Sequence, residues 1–167
     1  MIYQMDASIN GGGGQRSVFA NEIIAFVKTK CRLNIVEWEP MKADYPSYIL
    51  LGPDKGILAY INFDVVSLEN KLYLRHKYEK LLVQLRLAVS DLDRPVFNIY
   101  QLQEADKKNI YFETYEQIID ILFHDASRIK KDDKGEKYFY SDIKEMGCIN
   151  ELFNIFLDLK KHNVRFY

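Results

Sequence analysis

Cysteine is scarce in this chain. Cys31 and Cys148 stand alone in 167 residues, far apart, and neither has a second cysteine at metal-site spacing. That excludes a disulfide framework and a zinc ribbon, and the two read as reduced structural thiols. No apolar run approaches the roughly 20 residues of a membrane span. The N-terminus lacks the basic and apolar segments of a secretion signal, so the expectation is a soluble cytoplasmic protein with no membrane partner. A charge excess is missing as well. Lys and Arg number 23 against 24 Asp and Glu, a formal net charge of -1, which counts against a broadly basic surface and leaves only a local strip for nucleic acid. Gly11–Gly14 run into Gln15-Arg16 where a phosphate loop would end in Lys-Ser/Thr, so residues 1–16 read as a flexible arm. There is no internal repeat and no second core.

Hydrophobic residues make up 48% of the composition and charged residues 28%, the balance of a globular domain of ordinary size. The chain reads as one domain, 1–167. A helix starts at Ser17, with Phe19, Ile23, Phe26 and Val27 at helical spacing and Lys28 and Lys30 near its C-terminal end. Leu33 to Pro40 is a strand stopped by its proline. Asp44 to Asp64 reads as a hairpin of two apolar strands around Gly52-Pro53-Asp54-Lys55-Gly56, whose Pro and Gly suit a tight reversal. With period two, Leu58, Tyr60, Asn62 and Asp64 share one face of its second strand, and Ile57, Ala59, Ile61 and Phe63 the other.

A turn is expected at Ser67–Asn70. Leu74, Tyr78, Leu81, Leu82, Leu85, Ala88 and Val89 then predict a long amphipathic helix. Pro95 to Leu102 is a fourth strand, and the intervening helix favours a parallel crossover, hence a mixed sheet. Tyr111 to Ile129 reads as a further helix, Lys130 to Lys137 as a solvated loop, and Ile149 to His162 as a last helix.

The order of elements, helix-β-β-β-helix-β, resembles the core of the PD-(D/E)XK nuclease superfamily, the restriction-endonuclease-like fold. The likeness covers residues 17–102, with 103–167 as a C-terminal helical extension, and the fold class is α/β (α+β) around a mixed central sheet. In that family an Asp begins the second strand, a Glu or Asp and then a Lys two residues on occupy the third, and the next helix carries a Gln or Lys. By resemblance Asp44 takes the first position and Gln84 the helix position. Where Glu-x-Lys would stand, this chain has Asn62-Phe63-Asp64. A second register, with Pro53-Asp54 as the Pro-Asp pair and Asp64 as the acid, leaves Val66 at the lysine position and is disfavoured.

The resemblance implies Mg²⁺ held by paired carboxylates, polarising a phosphate while a lysine stabilises the charged transition state. Here the metal ligands would be Asp44 and Asp64, with Glu22 of the first helix as an additional acid. The catalytic set would be Asp44, Asn62, Asp64 and Gln84. Asn62 offers an amide oxygen without charge, and Asp64 puts a negative charge where the cation belongs. A lysine arriving from elsewhere, Lys71, Lys77 or Lys80, would repair the deficit. Two functions follow. One is a nuclease-like domain with impaired catalysis, serving as a binding or assembly module for nucleic acid or a protein partner through aromatics such as Trp38, Tyr138, Phe139, Tyr140 and Tyr167. The other is an active metal-dependent nuclease.

Overall fold

The computed structural model describes residues 15–38, 45–90, 92–103 and 108–164. Its elements are α1 (Gln15–Cys31), β1 (Asn34–Glu37), β2 (Tyr48–Leu51), β3 (Ile57–Val66), β4 (Tyr73–Lys77), α2 (Tyr78–Ser90), β5 (Val96–Gln103), β6 (Lys108–Thr114), α3 (Tyr115–His124), β7 (Ile129–Lys131), β8 (Lys137–Asp142), β9 (Gly147–Cys148) and α4 (Ile149–Val164). Six strands form the central sheet in the order β1-β2-β3-β5-β6-β9, and β4-β8-β7 form a second sheet. β3 and β5 run parallel, and every other pairing is antiparallel. The central sheet is therefore mixed, as the crossover through α2 required. No helix of the described residues is long and apolar enough to cross a membrane.

Alternation along the strands sorts the apolar residues into two layers. Ala59, Ile61, Phe63, Phe97 and Ile99 pack on one face against Phe19, Ile23 and Val27 of α1 and Leu152 and Phe156 of α4. On the other face Tyr60 and Val96 meet Leu81 and Leu85 of α2 and Ile118 of α3. One strand pair interrupts the alternation. The register between β2 and β3 shifts at Leu50/Leu51, leaving Leu58 as an extra residue on β3. Leu58 accordingly joins the α1 side and Ile57 the α2 side, the reverse of strict alternation from Asn62. The predicted reversal at 52–56 is present, closed by the Gly52 amide donating to the Gly56 carbonyl at 2.9 Å. Asp54 lies at its tip and accepts from the Gly56 amide at 3.1 Å, which fits a turn role.

Several expected elements take another form. The buried stripe of α1 is Phe19, Ile23, Val27 and Cys31, while Phe26 is 48% exposed. Tyr73–Lys77 is a strand and α2 starts only at Tyr78. Leu74 and His76 alternate inward there with exposed Tyr73, Arg75 and Lys77. Asn70 and Lys71, with φ of 52° and 59°, make the tight reversal that starts this strand. Residues 108–114 are β6, so the predicted helix from Tyr111 shrinks to Tyr115–His124. Its true start carries a capping box: the Gln117 amide donates to Thr114 Oγ1 at 3.2 Å and the Thr114 amide to Gln117 Oε1 at 2.8 Å. The Lys130–Lys137 region is the hairpin β7–β8. The segment after residue 103 thus adds strands to both sheets as well as two helices, and is not a helical extension.

Candidate functional site

β2 begins at Tyr48, opposite Ile61, and β3 runs on beyond it. Over that stretch β3 pairs with β5, setting Asn62 beside Asn98, Asp64 beside Tyr100 and Val66 beside Leu102. β5 in turn sets Asn98 beside Glu113 and Tyr100 beside Tyr111 of β6. Period two therefore places a polar row, Asn62, Asn98 and Glu113, on the face that α2 and β4 cover. A cavity of about 530 Å³ opens there, within the usual size of a ligand site. Asn62, Asp64, Asn98 and Tyr100 line its floor, His76, Lys77, Lys80 and Gln84 come from β4 and α2, and Tyr45 and Ser47 come from the segment ahead of β2.

Of the residues singled out by sequence, the fold brings Asn62, Asp64 and Gln84 to this one cavity. Asp44 lies outside the described residues, although its neighbour Tyr45 lines the cavity. Glu22 is on α1, the helix packed on the opposite face of the sheet, and is not among the lining residues. Lys77 and Lys80 border the cavity and Lys71 does not. Trp38 is no free surface ring, since it packs on Tyr45 and Tyr60 at centroid distances of 5.9 and 5.1 Å. Phe139 is fully buried, and Tyr167 lies outside the described residues.

Asn62 donates from Nδ2 to Asn98 Oδ1 at 3.1 Å and to the Tyr115 hydroxyl at 3.4 Å. Its amide group is tied into a neutral network with Asn98 and Tyr115. Asp64 Oδ1 accepts from the Val65 amide at 3.0 Å. Arg75 borders the cavity, yet its guanidinium is stacked 3.6 Å over the Tyr138 ring and paired with Glu69 at 3.4 Å. Lys77 and Lys80 are the remaining full cations among the described lining residues.

Beside the cavity lies a buried cluster, two of whose members, His76 and Glu113, the sequence pattern had placed on helices. Glu113 Oε1 is 3.0 Å from His76 Nε2 and accepts from the Tyr100 hydroxyl at 2.8 Å. His76 Nε2 is also 3.1 Å from Ser141 Oγ. Burial pushes the Glu113 carboxyl up, but His76 with hydrogen bonds from His76, Tyr100 and Ser141 outweighs it and holds the group below the usual glutamate range. The Tyr100 phenol is driven well above its ordinary value, first by burial and then by the Glu113 charge. The signal for these residues was period-two alternation, Leu74-x-His76 and Tyr111-x-Glu113, overridden in a helical reading by the apolar neighbours on either side.

The donor set does not fit a Mg²⁺ centre on its own. Among the described residues no three His, Cys, Asp or Glu side chains gather in metal-holding geometry. Asp64 is the one carboxylate among the described lining residues, and Glu113 is committed to three donors. A hard cation that prefers carboxylate oxygen has too few partners among the described residues.

No protein-family model matches the sequence, and no curated protein matches it. Solved structures do. The chain is similar to D212, a nuclease from a fusselovirus, with a TM-score of 0.58 at 14% identity over 90% of this chain and 92% of that one. It also aligns with Hjc, a Holliday junction resolvase from Archaeoglobus fulgidus, with a TM-score of 0.46 at 10% identity over 75% and 88%. What the first likeness establishes is architecture: over nine-tenths of its length this chain has a nuclease-like fold.

Proposed function

We propose that this chain is a nuclease-like domain with impaired hydrolysis that binds nucleic acid, its cavity holding a segment of sugar-phosphate backbone. One observation carries the reading: the cavity sets a single described carboxylate, Asp64, and the neutral Asn62–Asn98 pair against two lysines, Lys77 and Lys80. Two lysines with Gln84 and Asn98 supply donors that suit phosphate oxygens. Hydrolysis asks for more, because stabilising a transferring phosphoryl group takes clustered charge aimed at the reacting atoms. Replacing Glu-x-Lys by Asn62-Phe63-Asp64 removes one such charge and reverses another.

A second reading rests on the same lysines. If Asp44 joins Asp64, with Lys77 or Lys80 as the migrated cation, the domain is a metal-dependent nuclease. The two separate in one experiment with labelled single- and double-stranded DNA and RNA, in Mg²⁺, Mn²⁺ or EDTA. Impaired catalysis gives binding that persists in EDTA and weakens in Lys80→Gln, with no cleavage above an Asp64→Ala control. Metal-dependent cleavage that disappears in both Asp44→Ala and Asp64→Ala overturns it in favour of the nuclease.

A further inference from the structure

The small sheet β4-β8-β7 has two unlike faces. Leu74, His76, Phe139 and Ser141 point inward, the last two fully or almost fully buried. The alternate positions form the outer face: Tyr73, Arg75 and Lys77 on β4, Tyr138, Tyr140 and Asp142 on β8, and Lys130 on β7. Register sets Arg75 across from Tyr140 and Lys77 across from Tyr138, with Lys130 on the far side of Tyr138. The Arg75 guanidinium lies 3.6 Å over the Tyr138 ring and 5.9 Å from the Tyr140 centroid. Tyr73 and Tyr140 meet edge to face at 6.5 Å and 88°. Three rings and three cations thus interleave on one side of three strands.

The acids around this face are largely occupied. Glu69 pairs with Arg75 at 3.4 Å, and Glu136 accepts from the Tyr138 hydroxyl at 3.1 Å. Asp142 accepts from the Lys144 amide at 2.9 Å. Glu136 and Asp142 keep their charge, but Lys77 and Lys130 make no ion pair among the described residues and are the cations left to meet a polyanion's phosphates. Rings and a guanidinium plane stack on any base, and lysines beside them meet the phosphates. A duplex keeps its bases stacked inside and gains only the phosphate contacts of such a surface. Strands spaced about 4.8 Å apart give it room for about two or three bases.

We propose that the outer face of β4-β8-β7 is a stacking platform for single-stranded nucleic acid, continuous with the cavity through β4, whose Arg75 and Lys77 border both. The inference rests on the reading of the cavity as a backbone site and adds the strand class and the surface that selects it. Tyr140 and Lys130 line neither cavity nor core, and Arg128 bonds the Tyr140 main-chain carbonyl, so Tyr140→Ser with Lys130→Gln keeps that anchor and gives up the ring's surface contacts with Tyr73 and Arg75.

Fluorescence anisotropy with an oligothymidylate and with a duplex of equal length tests the proposal on the whole chain, with Lys80→Gln as the cavity variant and denaturation midpoints as the folding control. Truncating a stacking ring lowers single-strand affinity by about 5- to 100-fold, and losing Lys130 lowers the log-log salt slope by about 0.7. Duplex affinity falls only by the phosphate contact of Lys130, well short of the single-strand loss. A 5-iodouracil strand is expected to crosslink at Tyr138 or Tyr140. Unchanged single-strand binding in the double variant, or crosslinks confined elsewhere, overturns the platform. Unchanged binding in Lys80→Gln, with loss in the double variant, instead removes the cavity reading and leaves the platform standing. A wild-type chain that binds no single strand removes both.

Discussion

Glu113 shows how much one side chain organises here. Its side chain is 5% exposed and His76, its partner, 16%, so the pair is shielded and three donors converge on one carboxylate. Glu113→Ala strands His76, Tyr100 and Ser141 together and is expected to cost about 3–5 kcal/mol, read as a lowered midpoint in guanidinium denaturation. The pH dependence has a definite sign. A carboxyl held below its unfolded value of about 4.5 adds stability that is complete above that pH and is lost as pH falls through the lower folded value. The stability gap between the wild type and Glu113→Gln therefore narrows in acid, as pH falls below the unfolded value. A gap that widens in acid contradicts the pairing.

Elements of this protein are fixed by small local devices. The joint between β6 and α3 is set by Thr114 and Gln117, which satisfy each other's main-chain amides. Thr114→Ala is expected to lower stability by about 1 kcal/mol, and Thr114→Ser to restore most of it, both measured by urea denaturation. β9 depends on a missing side chain. A Cβ on Gly147 would fall within the ring of Phe112, its partner across the strand pair, and Phe112 is buried. Gly147→Ala is expected to cost about 1–3 kcal/mol through overpacking. It should loosen α4, which starts directly after β9, and hydrogen exchange along Ile149–Val164 would report that.

At the scale of the whole molecule two sheets flank the polar cavity, and the response to metal follows from the described donor set. Bound at a hundred times its dissociation constant, an ion stabilises a fold by about 2.7 kcal/mol. With one described carboxylate on the cavity wall, neither added Mg²⁺ nor EDTA is expected to move the thermal midpoint by more than about 1 °C. A rise of several degrees in Mg²⁺, abolished by Asp64→Ala, would restore the metal-dependent reading.

Much of the architecture was legible in the chain itself, since the mixed order of elements, the 52–56 reversal and the parallel crossover follow from alternation, Pro and Gly placement and connection length. So did the shared face of Asn62 and Asp64, because side chains two apart on a strand must point the same way. Where short strands abut helices, local pattern was ambiguous: Leu74 continues the stripe of α2, and Tyr111-Phe112 precedes the stripe of α3, so both strands read as helix. Only the tertiary structure decided the rest. Packing of β4 across α2 and β8 brought His76 to Glu113 over a sequence separation that no periodicity spans, and the bulge at Leu58 set which side chains of β3 face each layer. Local pattern is written by backbone sterics and hydrophobic period. The meeting of distant polar groups follows from burying the largest apolar area, and that is settled by the chain as a whole.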